Sequence, residues 1–214
     1  MKRIAIIGAG GFGREVKVLI DDINKANPIY DIIGFFDDGI EKGTLVNGLP
    51  VIGTIASINK IDYNLLLILG VASPAIKEKI IQNIQNIHID FPTLIHPSVI
   101  ISNDEISLGR GTIICAGNII TCNITVKDFV TLNLSCTVGH DTIIKDFSSF
   151  MPAVNISGEV VIEKNVYVGT GAKIINQLSI GENTVVGAGA VVAKTLPANC
   201  TSVGIPAKPI KFHS

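Results

Sequence analysis

The stretch that decides the fold is residues 126–150, VKDFVTLNLSCTVGHDTIIKDFSSF. An aliphatic or aromatic residue stands at every sixth position of this stretch, beginning with Val126 and ending with Phe150. The spacing continues outward to Leu108 and to Val192, and every residue on it except Phe150 is Ile, Val or Leu. A six-residue period is too short for a helical repeat unit. It therefore predicts a fold built from short, repeated strands.

A second regular position accompanies the first. Four residues after each aliphatic site stands a mostly small or β-branched residue, such as Thr112, Cys136 or Ala172, and glycine often follows the aliphatic residue directly. This pattern is typical of the hexapeptide parallel β-helix, in which three short faces make one coil of about 18 residues. We expect aliphatic side chains inside, small ones at the closing corners, and Gly or Asn in the unusual backbone angles there. The half-apolar faces indicate that prisms pack together, commonly as trimers.

Residues 1–95 follow different periods. RIAIIG, DIIGFFDD and LLLILG have the character of buried strands, and Ser73 with Pro74 opens a helix. The helical segments carry apolar stripes at Val16, Leu19, Ile20 and Ile23, and at Ile76, Ile80, Ile84 and Ile87. We therefore predict a Rossmann-like β-α-β domain with a parallel sheet over residues 1–95, and a β-helix domain with a C-terminal tail over residues 96–214.

Composition excludes several classes of partner. With 17 basic and 18 acidic residues the net charge is −1, so no footprint for nucleic acid or an anionic membrane is present. Every apolar run is shorter than the roughly 18 residues of a spanning helix, and no signal-cleavage pattern is present, which predicts a cytoplasmic protein. The four cysteines form no C-x-x-C pair and are expected to be buried, reduced thiols, and a zinc site is not supported.

The motif GAGGFG occupies residues 8–13, directly after a strand and at the start of a helix. In that context the backbone N–H groups can approach a phosphate. The motif fits a nucleotide or nucleotide-sugar site, a dinucleotide site with Asp37 and Asp38 as ribose-binding acids, or a structural turn. Fewer than 100 residues precede the β-helix, about half of a doubly wound fold, which favours a single nucleotide.

One proton-handling pair interrupts the monotony of the β-helix. His140 follows the inward Val138 by two residues, so the register places it at a corner, outside the core. It is the only histidine between residues 97 and 212, and Asp141 beside it could orient an imidazole and favour its protonated form. The alternative is a solvated corner histidine. Cys136 falls in an inward small-residue position and is expected to be packing material.

Together, the Gly-rich β-α-β domain, the uninterrupted hexapeptide β-helix with GHD and the VGIPAKPIK ending resemble the acetyl-CoA-dependent sugar acetyltransferases of the left-handed β-helix class. The chain is similar to the bacterial branch that N-acetylates nucleotide-linked 4-amino sugars, and to the related sialic acid O-acetyltransferases. The resemblance implies direct acetyl transfer to a UDP- or dTDP-linked 4-amino-4,6-dideoxy sugar, in a homotrimer and without metal. O-acetylation of a sugar hydroxyl and a non-catalytic nucleotide-sensing trimer are the alternatives.

The resemblance also implies roles for residues of the β-helix. His140 would be the general base, Asp141 would raise its basicity, and Asn133 matches a polar position near the reacting centre. Ser149 stands where several relatives carry a second histidine close to the thioester.

Further expectations from the resemblance concern the two substrates. The nucleotide would contact the N-terminal domain, with the diphosphate at Gly10, Gly11 and Phe12, the base or ribose at Asp37 and Asp38, and Gly70 lining the cleft. Acetyl-CoA would lie in a groove between neighbouring prisms, near Gly158, Thr170 and Ala188, with residues 206–208 near its adenosine end.

Overall fold

The computed structural model describes residues 1–213, which divide into two compact units between Pro97 and Ser98. The sequence pattern placed this boundary after residue 95. The units are a mixed α/β domain and a parallel β-helix, so the predicted fold class is confirmed.

The N-terminal unit is a twisted sheet with helices. Its elements are β1 (Lys2–Ile7), α1 (Gly11–Ala26), β2 (Tyr30–Phe36), β3 (Leu45–Val46), β4 (Leu49–Gly53), a 3₁₀-helix (Ile55–Lys60), β5 (Leu65–Leu69), α2 (Pro74–Asn83), β6 (Ile89–Asp90) and β7 (Leu94–Ile95). The strand order is β3-β4-β2-β1-β5-β6, and β1 pairs in parallel with both β2 and β5. The carboxyl ends of these three strands therefore share one edge of the sheet, where open α/β sheets bind ligands.

Helix α1 buries the stripe that the sequence predicted, Val16, Leu19, Ile20 and Ile23. Helix α2 differs from the prediction, because its buried residues are Pro74, Lys77 and Ile80. Ile76 is 52% exposed, and Ile84 and Ile87 lie beyond the helix end. The side chain of Asn59 stops the helix, since its Nδ2 donates to the carbonyl of Asn83 and its Oδ1 accepts from the N–H of Gln85. The predicted stripe needed about three turns of helix, and α2 ends before the last two residues of the stripe, Ile84 and Ile87.

The hairpin of β3 and β4 was not predicted. Its strands are antiparallel and join through Asn47 and Gly48, both of which have positive φ. An Asn-Gly pair in this conformation is the strongest short-range signal for a two-residue hairpin. The signal was therefore present in the sequence.

The second unit is built from two- to five-residue strands. They are β8 (Ile100–Ile101), β9 (Ile106–Leu108), β10 (Ile113–Ile114), β11 (Ile119–Ile120), β12 (Ile124–Val126), β13 (Thr131–Leu132), β14 (Thr137–Val138), β15 (Ile143–Ile144), β16 (Ser149–Phe150), β17 (Asn155–Ile156), β18 (Val161–Ile162), β19 (Tyr167–Val168), β20 (Lys173–Ile174), β21 (Ser179–Ile180), β22 (Val185–Val186), β23 (Val191–Val192), β24 (Cys200–Val203) and β25 (Lys208–Phe212).

These strands form three faces. Face A contains β8, β11, β14, β17, β20 and β23; face B contains β9, β12, β15, β18 and β21; face C contains β10, β13, β16, β19, β22 and β24, with β25 antiparallel to β24. Pairs such as Thr137 with Asn155 and Asn155 with Lys173 show that neighbouring coils are offset by 18 residues. The hexapeptide register is confirmed, because the predicted aliphatic positions from Ile114 to Val192 are all buried.

The corners use backbone angles differently from the prediction. Every sixth residue from Glu105 to Gly189 has positive φ, three positions after the inward aliphatic residue, and many of these are neither Gly nor Asn. The glycines that directly follow the aliphatic residue serve another purpose. A β-carbon added at Gly139, for example, would lie 2.6 Å from the backbone nitrogen of Gly158 in the next coil. Those glycines allow adjacent coils to approach closely.

Candidate active site

His140 lies at the corner between faces A and B, after β14 and before β15, as the register predicted. Its side chain is 55% exposed. The backbone is fixed on both sides, because the carbonyl of His140 accepts from the N–H of Glu159 at 2.8 Å, and the N–H of Asp141 donates to the carbonyl of Cys122 at 3.2 Å. An exposed imidazole is therefore held on a rigid backbone.

His140 and Asp141 form a hydrogen-bonded pair. Nδ1 of His140 and Oδ2 of Asp141 are 2.7 Å apart. An ionised carboxylate only accepts hydrogen bonds, so Nδ1 carries the proton and Nε2 of the neutral ring is free to accept one. The contact with His140, followed by that with Asn123, holds the pKa of the Asp141 carboxyl below its usual value. The pair thus has the geometry of a base with its orienting acid.

Gly158 lies against the imidazole ring. A β-carbon added at Gly158 would stand 2.5 Å from both Cε1 and Nε2 of His140 and 2.9 Å from Cδ2. Only a residue without a side chain therefore leaves the ring where it is. Gly158 was predicted as an acetyl-CoA contact; the structure gives it a second relation to the site.

Asn123 is a neighbour of the pair that the sequence reasoning missed. It occupies the same corner one coil earlier, and its Nδ2 donates to Oδ1 of Asp141 at 3.0 Å. Asn123 and Asp141 both have positive φ, 55° and 57°. Comparing polar residues at 18-residue spacing would have found this relation.

The other predicted β-helix residues lie elsewhere on the prism. Asn133, Thr170 and Ala188 occupy the corner between faces C and A, at the opposite side of face A from His140. Asn133 is 5% exposed, and its Oδ1 accepts from the N–H of Leu134 at 2.7 Å. Thr170 and Ala188 are exposed and stand one coil apart. One chain therefore presents the predicted residues at two corners.

Ser149, on face C, is fully buried, and its hydroxyl has no hydrogen-bond partner among residues 1–213. Contact of this hydroxyl with acetyl-CoA would require the side chains that cover it to move. Its role at the thioester stays a prediction.

In the N-terminal unit the glycine motif forms the turn from β1 into α1. Gly10 is the N-cap of α1 and offers no side-chain cap, so the first-turn N–H groups at Gly11 and Phe12 have no acceptor within the helix. The turn packs tightly. A β-carbon at Gly13 would lie 1.9 Å from the carbonyl oxygen of Gly8, and one at Gly70 would lie 2.6 Å from the Cα of Gly13. Gly70 is therefore buried behind the turn and supports its shape.

The two acidic residues after β2 have different environments. Asp37 accepts from the N–H groups of Ala9 at 2.7 Å and Gly39 at 2.8 Å, so its carboxylate braces the glycine turn. Asp38 is exposed and accepts from the N–H of Ile55 at 2.8 Å. Asp38 also lines a cavity of about 270 Å³, whose other walls are Ile55, Ile76, Lys79, Ile80 and Asn83. A mostly apolar cavity with one carboxylate suits a heterocyclic base.

A cavity of about 440 Å³ opens at the opposite edge of the same sheet, lined by residues that include Lys2, Arg3 and His88. None of the predicted site residues lines it. It lies at the amino ends of β1 and β5, away from the glycine turn, so we do not assign the substrate to it.

All four cysteines are reduced thiols; Cys115, Cys136 and Cys200 are buried as expected, but Cys122 is partly exposed at the corner that precedes β12. Burial raises the pKa of the Cys136 thiol to about 11, which makes it inert as a nucleophile at neutral pH.

Within residues 1–213 no group of three or more His, Cys, Asp or Glu side chains could hold a metal ion. No helix in that range is long and apolar enough to cross a bilayer.

Known proteins match both units. Residues 3–84 match the PglD N-terminal domain family, and residues 159–194 match the bacterial transferase hexapeptide (six repeats) family. The chain is 31% identical over 172 residues to GDP-perosamine N-acetyltransferase from Escherichia coli O157:H7. The aligned region covers 80% of this chain and 77% of that protein. It is 32% identical over 119 residues to UDP-N-acetylbacillosamine N-acetyltransferase from Bacillus subtilis (strain 168), over 54% of this chain and 52% of that protein.

Solved structures agree with these matches over nearly the whole chain. The acetyltransferase domain of PglB from Neisseria gonorrhoeae FA1090, in complex with acetyl coenzyme A, superposes with a TM-score of 0.86 at 31% identity, covering 98% of this chain and 99% of that one. PerB from Caulobacter crescentus, in complex with CoA and GDP-perosamine, superposes with a TM-score of 0.88 at 26% identity, covering 99% and 98%. The chain belongs to the PglD-type family of hexapeptide-repeat N-acetyltransferases that act on nucleotide-linked amino sugars.

Proposed function

We propose that the protein transfers the acetyl group of acetyl-CoA to the amino group of a nucleotide-linked 4-amino-4,6-dideoxy sugar. The observation that carries the proposal is the His140–Asp141 pair, whose 2.7 Å contact leaves Nε2 of an exposed imidazole free to accept a proton. The curated relatives are N-acetyltransferases of GDP- and UDP-linked sugars, which supports an amine acceptor over a hydroxyl.

The chemistry requires one base and good positioning. The sugar nitrogen forms a bond to the carbonyl carbon of the thioester, the carbon–sulfur bond breaks, and the proton lost by the nitrogen goes to Nε2 of His140 and then to the departing thiolate. Asp141 stabilises the imidazolium formed on the way, because its carboxylate accepts from Nδ1–H. No covalent acyl-enzyme is needed, consistent with the inert Cys136.

The N-terminal unit would hold the nucleotide. The first-turn amides of α1, at Gly11 and Phe12, can donate to a diphosphate at the positive end of the helix dipole. The base would enter the cavity beside Asp38, whose carboxylate accepts hydrogen bonds and therefore suits a base that presents an N–H group. Asp37 is engaged in bracing the glycine turn, so we assign it a supporting role. The sequence pointed to UDP or dTDP; the E. coli relative adds GDP to the nucleotides worth testing.

We further propose that the protein acts as a homotrimer. Face A separates the His140 corner from the corner that carries Asn133, Thr170 and Ala188. A neighbouring prism packed beside face A could unite the two kinds of corner around acetyl-CoA. Exposed aliphatic residues on outer faces, such as Ile119 at 41% and Ile143 at 39%, support such packing. The reduced cysteines suit the reducing cytoplasm, which we take as the location.

The test is a thiol-release assay with acetyl-CoA and a panel of GDP-, UDP- and dTDP-linked 4-amino sugars, run beside free amino sugars and sialic acid. We expect turnover with a nucleotide-linked amine and a loss in kcat of about 100-fold or more for His140→Ala. Faster turnover of sialic acid, or undiminished turnover in the variant, would remove the proposal. Sedimentation velocity of the same preparation tests the trimer.

A further inference from the structure

Three coils of the β-helix contribute to the surroundings of His140. Asp141 is the next residue in the same coil, Gly158 lies against the ring from the following coil, and Asn123 reaches Asp141 from the preceding coil. Asp141 thus has both carboxylate oxygens engaged, one by the ring nitrogen of His140 and one by the amide of Asn123. The second contact has no part in the chemistry described above.

The contact with Asn123 matters because Asp141 is otherwise free to turn. Its side chain is 50% exposed, and rotation about its side-chain torsions would exchange the contact with His140 for water. A carboxylate held at both oxygens has fewer such alternatives. Asn123 is well suited to the task, since its own backbone is fixed by a 3.0 Å hydrogen bond from its N–H to the carbonyl of Asp104, and since Asn tolerates positive φ better than most residues.

We propose that Asn123 is a positioning residue for catalysis, which acts through Asp141 to hold the imidazole of His140 in the orientation that accepts the substrate proton. This inference rests on the proposed role of His140. It makes Asn123, Asp141 and His140 a relay across two coils, Nδ2–H to Oδ1 and Nδ1–H to Oδ2. Asn123 needs no contact with either substrate to perform this task.

The polar ladder at this corner continues, but not as one unit. In the following coils Nε2 of Gln177 donates to Oε2 of Glu159 at 3.1 Å. No hydrogen bond between the side chains of Asp141 and Glu159 is present in the described part of the chain. Among the described residues, the series of side-chain hydrogen bonds that leads to His140 therefore consists of the contact of Asn123 with Asp141 and the contact of Asp141 with His140.

The variant that tests the proposal is Asn123→Gly. Glycine accepts the positive φ of this position without strain, so the change removes the amide and little else. The matched control is Asn183→Gly. Asn183 also has positive φ, 57°, and its Nδ2 donates to Oδ1 of Asn199 in the neighbouring coil at 2.9 Å, far along the chain from His140.

We expect Asn123→Gly to lower kcat about threefold to tenfold, the change that corresponds to the loss of one typical hydrogen bond, with the KM of each substrate within twofold of wild type. Asn183→Gly should leave kcat unchanged. A double-mutant cycle separates positioning from general loosening. If Asn123 acts through Asp141, then in an Asp141→Gly background the Asn123→Gly change has no further effect on kcat. If the losses in kcat of the two single variants multiply in the double variant, the proposal is overturned.

A second measurement does not depend on activity. Because Asn123 helps to hold the pKa of Asp141 low, ¹³C NMR titration of the Asp141 carboxyl should show a higher pKa in Asn123→Gly than in wild type and in Asn183→Gly. An unchanged titration, with unchanged kcat, refutes the role of Asn123. If His140→Ala retains activity, the proposed function itself fails; if His140→Ala is inactive and Asn123→Gly is normal, only this inference fails.

Discussion

Replacing Gly158 by alanine should lower kcat strongly while it lowers the stability of the protein only slightly. The added β-carbon would lie 2.5 Å from Cε1 and Nε2 of His140, whereas carbon atoms in contact are normally about 3.5–4.0 Å apart, so the ring must move by about 1 Å. Because φ at Gly158 is not in the left-handed region, the alanine meets no backbone strain. The ring is 55% exposed and can turn toward solvent.

The expected magnitudes differ for the two properties. A side chain forced off its preferred rotamer costs about 1 kcal/mol, or roughly 2–4 °C in Tm for a chain of this size. A displacement of about 1 Å at a reacting group can cost about 100-fold in rate. Thermal unfolding and the thiol-release assay measure the two quantities on one preparation. A kcat within threefold of wild type would refute the reasoning that the ring position matters.

Two controls accompany this variant. In a His140→Ala background the colliding ring is absent, so Gly158→Ala should no longer lower Tm. Gly187→Ala introduces a similar clash, 2.7 Å from Cγ1 of Val203, in a coil remote from His140. It should lower Tm by a comparable amount, while kcat at saturating acetyl-CoA stays near the wild-type value.

Other groups yield independent predictions. The pKa of Asp141 is lowered in the fold, so its charged form stabilises the protein above about pH 4 and that contribution disappears as the pH falls further; the Tm advantage of wild type over Asp141→Asn should shrink between pH 6 and pH 3, and a constant difference would contradict this. Iodoacetamide at pH 8 should modify the partly exposed Cys122 before Cys136, whose buried thiol has a pKa of about 11, and mass spectrometry of tryptic peptides gives the order. Ser149→Ala removes a buried hydroxyl that lacks a partner within residues 1–213, so Tm should stay equal or rise, and an increased KM for acetyl-CoA would show instead that the hydroxyl contacts the co-substrate.

The β-helix could be predicted from sequence because its six-residue period is visible directly in the order of the residues. Each aliphatic position from Ile114 to Val192 is buried by the same geometry, and the same register correctly placed His140 outside the core. The corner angles could not be predicted in this way. Phe129, Phe147 and Glu159 adopt positive φ because coil closure imposes it, although none of them prefers it strongly.

The contacts of the candidate site could be predicted where they are local in sequence, and they were missed where they are not. The His140–Asp141 contact joins adjacent residues, so the dipeptide alone suggests it. Asn123 lies 18 positions from Asp141, and Gly158 lies 18 positions from His140, so only the stacking of coils brings each pair together. In the N-terminal unit, likewise, the short α2 could not hold the predicted stripe because Asn59, distant in sequence, ends the helix at Asn83.

Coil stacking confines the proposed base, His140, and its contacts to a narrow slice of the chain. Backbone pairing in the β-helix joins each coil to those immediately before and after it, and all the neighbours of His140 identified above lie between residues 122 and 159. Whole coils could therefore be inserted or removed toward the C-terminus without altering this slice. Under the proposed placement of acetyl-CoA, such a change would alter the co-substrate groove near Thr170 and Ala188, while His140 and its contacts stay the same.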